Sequence, residues 1–163
     1  MRLPFEFFWQ KNYALVPLKT AHCHAIAALH IEGFHRPWSD GEFRSLLNQE
    51  QVFGFIALQE GRAKAPPAGF ILLRLAAGEA EILTLTVAKS VRRHGIGHRL
   101  VDEAMRRLHE QRAQSLFLEV DSANAPAIGL YKRFGFRKVG ERKAYYDTPQ
   151  GKTSALVMRR DLG

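Results

Sequence analysis

Apolar positions along the chain follow two rhythms, and the switches between them mark the elements. Val52–Leu58, Gly69–Leu75 and Glu79–Val87 are apolar, largely β-branched or aromatic runs. They predict three strands in a meander, joined by the polar stretch Gln59–Ala68 and a tight turn at Ala76–Gly78. The period then changes. From Gly97 to about Gln111 the apolar residues are Leu100, Val101, Ala104, Met105 and Leu108, one face of a helix, with Arg99, Asp102, Glu103, Arg106 and Arg107 mostly outside. Ser115–Asp121 returns to strand composition with one carboxylate, Glu119, inside it.

Before this block, Tyr13–Pro17 reads as a short strand, with Pro17 favouring an edge or an end. Thr20 is placed to cap a helix running to about Glu32 that buries Ile26 and Leu29. Ser39-Asp-Gly-Glu42 matches a capping box and starts a second helix to about Asn48. After the block, Asn124–Phe134 is a short helix with Pro126 in its first turn and Gly135 as its left-handed stop. Phe136 to about Tyr146 and Ser154–Arg159 are strands around a turn at Thr148–Lys152. The predicted order is β-αα-βββ-α-β-α-ββ, an α/β fold with four helices on a mixed sheet of about seven strands. All 163 residues are expected to form one domain.

Composition narrows the class. Hydrophobic content of 46% with 25% charged residues is globular. No apolar run is long enough to span a bilayer. The opening Met1–Gln10 is too short, with a glutamate too early, for a secretory signal. A soluble, cytoplasmic protein is the expectation. Cys23 is the only cysteine, so no internal disulfide or cysteine metal site can form. His22, His24 and His30 are spaced by two and six residues, which does not stack them on one helical face, and no metal is expected. A formal charge of +8 implies anionic company: nucleic acid, ribosomes or a polyanionic cofactor.

One turn addresses that charge. Val87-Ala-Lys-Ser-Val-Arg-Arg-His-Gly-Ile-Gly-His98 joins a strand to a helix through two arginines and two glycines. Such a turn aims backbone N–H groups and a helix dipole at one point, a cradle for phosphate or pyrophosphate. An ordinary basic strand–helix turn is the alternative. The loop Gly33–Trp38 is aromatic and basic; Trp38 could line a substrate groove or pack beneath the helix pair.

Arg92-Arg93-His94-Gly95-Ile96-Gly97 after its strand, the Leu118-Glu119-Val120 strand, and Asn124…Ala127-Ile128…Leu130-Tyr131…Phe134-Gly135-Phe136 together resemble the GCN5-related N-acetyltransferase (GNAT) family, and the likeness runs from about Tyr13 to Arg159. With the Pro37-Trp38-Ser39 loop and Tyr145-Tyr146, the chain is most similar to the bacterial ribosomal-protein-alanine N-acetyltransferases, which act on the N-terminal alanine of ribosomal protein S18. The resemblance implies acetyl-coenzyme A as donor, its pyrophosphate on Arg92, Arg93, His94, Gly95, Ile96, Gly97 and His98. It implies a pantetheine arm paired with Leu85, Thr86 and Val87, Asn124 as a coenzyme contact, Glu119 as general base and Tyr131 as general acid. Trp38, Tyr145 and Tyr146 are the expected acceptor contacts. The turn departs from relatives in opening Ala88-Lys89-Ser90, where many have Asp-Pro.

The chemistry favours an α-amine. Attack needs a neutral amine, and an N-terminus titrates at about 8 against about 10.4 for lysine, a saving of roughly 3 kcal/mol. On spacing alone, Glu119 could equally face solvent or pair with a cation, and Tyr131 could be core. A small amine or a lysine is the alternative acceptor. A basic module binding nucleic-acid phosphates without turnover is the alternative of another class, and the lack of an aromatic-interleaved basic stripe argues against it.

Overall fold

Phe70, Ile71, Leu72 and Leu73 have no exposed surface, so their strand is apolar on both faces and must be covered on both. The computed structural model, which describes residues 12–62 and 64–163, places that strand inside a seven-stranded sheet ordered β1-β2-β3-β4-β5-β7-β6. The strands are β1 (Tyr13–Pro17), β2 (Val52–Gln59), β3 (Gly69–Ala76), β4 (Glu79–Val87), β5 (Ser115–Asp121), β6 (Arg137–Thr148) and β7 (Gly151–Asp161). The first four form an antiparallel meander, β4 pairs parallel with β5, and β7 lies antiparallel between β5 and β6. Met1–Gln10, the stretch weighed as a secretory signal, lies outside the described residues.

Among the described residues, four α-helices cover the sheet: α1 (Cys23–Gly33), α2 (Asp40–Leu47), α3 (Ile96–Glu110) and α4 (Ala125–Arg133). The five apolar residues expected on one face of α3 are all buried. α2 starts as its capping box requires: Ser39 Oγ accepts from Glu42 N–H, and Glu42 Oε2 accepts from Ser39 N–H. α1 differs from expectation. Thr20 does not cap it; a 3₁₀ turn, Thr20–His22, precedes it, and His22 Nδ1 accepts the Lys19 N–H at 3.0 Å. The imidazole reaches back to the residue before the turn, as the third residue of a capping box does.

Two irregularities in β4 shape the centre of the sheet. Between Leu72 and Leu73 the β3–β4 register slips, so that Leu83 is an extra residue: Leu73 pairs with Ile82 but Leu72 with Thr84. A bulge of this kind turns the strand over. Ile82 therefore faces one side of the sheet and Thr84 and Thr86 the other. The second irregularity is that β4 and β5 pair only as far as Ile82 and Leu118. Beyond that point the two parallel strands part, leaving a wedge-shaped gap between Leu83–Val87 and Glu119–Asp121.

Candidate active site

The side chains show which element covers which face of the gap. Thr84 Oγ1 lies 3.1 Å from His30 Nε2 of α1. Val87 points the other way, its Cγ2 within 3.5 Å of where a Cβ on Gly97 of α3 would stand. Thr84 and Thr86 thus face α1, and Val87 faces α3. Ile82 and Leu118 are register partners and share a face, the one opposite Thr84, so the next residue, Glu119, points to the α1 side.

Backbone polarity in the gap follows the ladder. Ala88 N–H donates to Ala68 O at 2.8 Å, so the even-numbered residues Thr86 and Thr84 also turn their backbone groups toward β3. Leu85 and Val87 turn theirs into the gap, where β5 no longer meets them. Of the three residues expected to pair with an extended ligand, Leu85 and Val87 are therefore available. Thr86 differs in direction, because the ladder turns its backbone toward Phe70 of β3.

At the mouth of the gap, Lys89–Val91 makes one 3₁₀ turn before α3. Arg93 (φ 68°) and Gly95 (φ 77°) then adopt left-handed conformations, and alternation of this kind converges successive N–H groups on one point. For Gly95 the conformation is free; for Arg93 it costs about 1 kcal/mol or more. The first bond into α3 runs from Arg99 N–H to Gly95 O. Among the described residues, the N–H groups of His94 through His98 donate to no backbone acceptor. A Cβ on Gly95 would touch nothing, so the cradle is open. Its geometry and its arginines fit a pyrophosphate.

Glu119 has a partner that its own strand does not reveal. Arg142 of β6 places Nη2 at 2.7 Å from Glu119 Oε1. The Arg142 guanidinium also lies over the Tyr145 ring, 5.1 Å from its centroid, and Tyr145 meets Tyr146 edge-on at 5.1 Å. Burial, then the charges of Glu119 and Asp121, raise the half-buried Tyr146 phenol above its usual range. Glu119, Asp121, Arg142, Tyr145 and Tyr146 thus form one group. Tyr131 of α4 is buried against Phe136; burial alone raises its phenol well above the ordinary value, keeping it protonated. Asn124 caps α4, its Oδ1 accepting from Ala127 N–H at 3.2 Å, which fixes the direction of its amide NH₂.

Trp38 is half-buried and stacks on His30 (5.2 Å) and edge-on against Phe43 (5.5 Å). Packing thus accounts for much of its ring surface, and the Trp38 backbone N–H donates to His30 Nδ1 at 2.9 Å.

The sequence profile of the Acetyltransferase (GNAT) family matches residues 23–136, the span holding this gap, the cradle and both carboxylate and phenol. The chain belongs to the GNAT acetyltransferase family. Its members use acetyl-coenzyme A, whose pyrophosphate the Arg93–His98 cradle fits. The chain is 33% identical over 135 residues to the ribosomal protein bS18-alanine N-acetyltransferase of Escherichia coli (strain K12), covering 81% of this chain and 87% of the relative. It is 30% identical over 123 residues to the enzyme of that name from Haemophilus influenzae, covering 75% and 80%. The crystal structure of the ribosomal-protein-S18-alanine N-acetyltransferase from Escherichia coli superimposes with a TM-score of 0.85 at 27% identity, over 93% of this chain and 95% of that one. The expected α/β GNAT architecture, element order included, is the one observed.

Three residues of this GNAT site escape a reading of the sequence alone. Arg142 lies in a strand exposed along nearly its whole length, so nothing in its neighbours marks it. His30 and Thr84 are 54 positions apart and meet only through the fold. The signal for His30 is its setting: Phe34 and Trp38 follow at four and eight residues, and both rings stack on the imidazole.

Proposed function

We propose that this chain transfers an acetyl group from acetyl-coenzyme A directly to a protein N-terminal α-amine, with the N-terminal alanine of ribosomal protein bS18 as acceptor. The observation that carries it is the gap. It opens the centre of the sheet to both faces, with Leu85 and Val87 backbone groups along one wall and Glu119 on the other. The two bS18-alanine relatives, each sharing at least 30% identity across three-quarters or more of this chain, support the acceptor.

In this assignment Arg92 through His98 hold the donor's pyrophosphate, Asn124 contacts the coenzyme, and Leu85 and Val87 line its extended arm. Coenzyme bound there presents its acetyl thioester at the gap. Glu119 takes the proton of the α-amine, directly or through a water, so that its lone pair can attack. A Leu85 or Val87 N–H turned into the gap stabilises the charge that develops on the carbonyl oxygen. Tyr131 donates toward the departing sulfur. Its raised titration does not disqualify it, because the same desolvation raises the thiol too. Tyr145, Tyr146 and the exposed edge of Trp38 border the acceptor.

The test offers the protein acetyl-coenzyme A with peptides starting Ala, Ser or Met, or with a blocked N-terminus and an internal lysine, and follows free thiol and peptide mass. Acetylation of the Ala peptide, located at its N-terminus, is the expected result. Thiol release with the lysine peptide alone would overturn the α-amine acceptor. Tyr131→Phe should lower kcat about 100-fold, the low end for a lost general acid because a thiolate leaves readily. Its urea midpoint should hardly move; a rate within threefold of the parent excludes Tyr131 as the acid.

A further inference from the structure

We propose that Arg142 is a positioning residue of the reaction, one that aims the Glu119 carboxylate into the gap between β4 and β5. The inference rests on the assignment of Glu119 as the base.

The register makes the contact an odd one. Glu119 pairs with Val157 of β7, and Val157 with Gly140 of β6. Glu119, Val157 and Gly140 therefore stand in one row on the same face of the sheet. The residue two strands away from Glu119 in its own row has no side chain, and the row is open above Val157. Arg142 stands one row further on, opposite Ala155, which is itself opposite Asp121. Its nearest carboxylate by register is Asp121. The guanidinium nevertheless passes over the small Ala155 and the vacant Gly140 position to meet Glu119 at 2.7 Å.

A second device fixes that choice. Directly after Arg142 the ladder breaks: between the pairs Arg142–Ala155 and Tyr146–Thr153, β6 has three residues, Lys143 to Tyr145, where β7 has one, Ser154. Ala144 sits within the break at φ 51°, a conformation that costs a non-glycine residue about 1 kcal/mol or more. The break lets Tyr145 fold back over the guanidinium and Tyr146 drop beside Glu119 and Asp121. The groups facing Glu119 are then Arg142 and Tyr146 from β6 and Asp121 from its own strand. Among the described residues, Arg142 is the cation within ion-pair distance of Glu119. A planar guanidinium held on one side by an aromatic ring offers its N–H fork in a fixed direction. Held this way, Arg142 takes one Glu119 oxygen and leaves the other for the acceptor amine or a water.

The experiment is a double-mutant cycle with Glu119→Gln, run on the acceptor that the parent protein turns over best. Arg142→Met should lower kcat about tenfold, leave KM for acetyl-coenzyme A unchanged, and leave the urea midpoint unchanged because Arg142 is largely exposed. Arg142→Lys, which keeps the charge but not the fork, should recover only part of the loss. In the Glu119→Gln background, Arg142→Met should cost less than twofold more, because there is no longer a base to aim. An equal tenfold loss in both backgrounds overturns the proposal: Arg142 would then act on the acceptor or on Tyr145. Failure of the α-amine reading shows separately, as turnover confined to lysine in the parent protein, and the cycle then runs on that acceptor.

Discussion

Glu119→Gln should lower kcat/KM by about 1,000-fold, the middle of the range for a lost general base and equivalent to roughly 4 kcal/mol of transition-state stabilisation. The substitution keeps the side chain's length and an oxygen for Arg142 but removes its ability to take a proton. Glu119 pairs through its strand to β7 on one side only, and its neighbours Leu118 and Val120 point into the core. Folding should therefore not suffer, and a urea midpoint measured alongside separates lost chemistry from lost structure. Glu119→Asp, shorter by a methylene, should fall between the two. Activity within threefold of the parent in the Gln variant would exclude Glu119 as the base and move attention to Asp121, the carboxylate two residues further along the same face of β5.

The second large effect concerns stability. His30 is 2% exposed. Its Nδ1 accepts from the Trp38 N–H and its Nε2 meets the Thr84 hydroxyl, an arrangement that requires the neutral ring with its proton on Nε2. Phe34, Trp38, Phe43 and Phe70 surround it. Burial lowers its pKa from 6.5 to about 4, with Glu42 opposing weakly. The sign comes from proton uptake. Below 6.5 the unfolded chain protonates this histidine and the folded chain does not, so stability falls as pH drops. Below about 4 both states carry the proton and the loss stops. The full loss across this window is about 3 kcal/mol. His30→Gln, which can supply a donor but cannot titrate, provides the reference. The stability advantage of the parent over the variant, from urea unfolding at a series of pH values, should shrink by about that amount between pH 7 and pH 4. A difference constant with pH would show that His30 does not carry the effect. Since His30 ties the Phe34–Ser39 loop to β4, the parent's KM for peptide should rise in the same window before that for acetyl-coenzyme A.

The features legible in the sequence and those hidden from it divide by range. β4 and β5 are legible to the residue, because a two-residue turn and a change of hydrophobic period mark their ends. The α3 face, the Ser39 capping box and the Gly135 stop (φ 84°) are local, and the structure bears all three out. β6 and β7 extend beyond their expected lengths, since β6 is exposed at nearly every position and offers no alternation to trace. The parting of β4 from β5 is a matter of register between strands joined only through α3, and no property of either strand alone announces it. The pairing of Arg142 with Glu119 is hidden for the same reason: it depends on a missing side chain at Gly140 and a break at Ala144 in a different hairpin.

The reversal of β4 at Leu83 has a consequence for how such a protein can change over generations. In the proposed assignment the donor is gripped by α3 and the turn before it, and the acceptor by the α1–α2 loop and the β6–β7 hairpin. Those two sets of segments are separate in the chain and lie on opposite faces of one sheet, touching only through the few residues that border the gap. Mutations can therefore rework the choice of amine while the thioester grip stays intact, and one scaffold can be retuned to new acceptors a loop at a time.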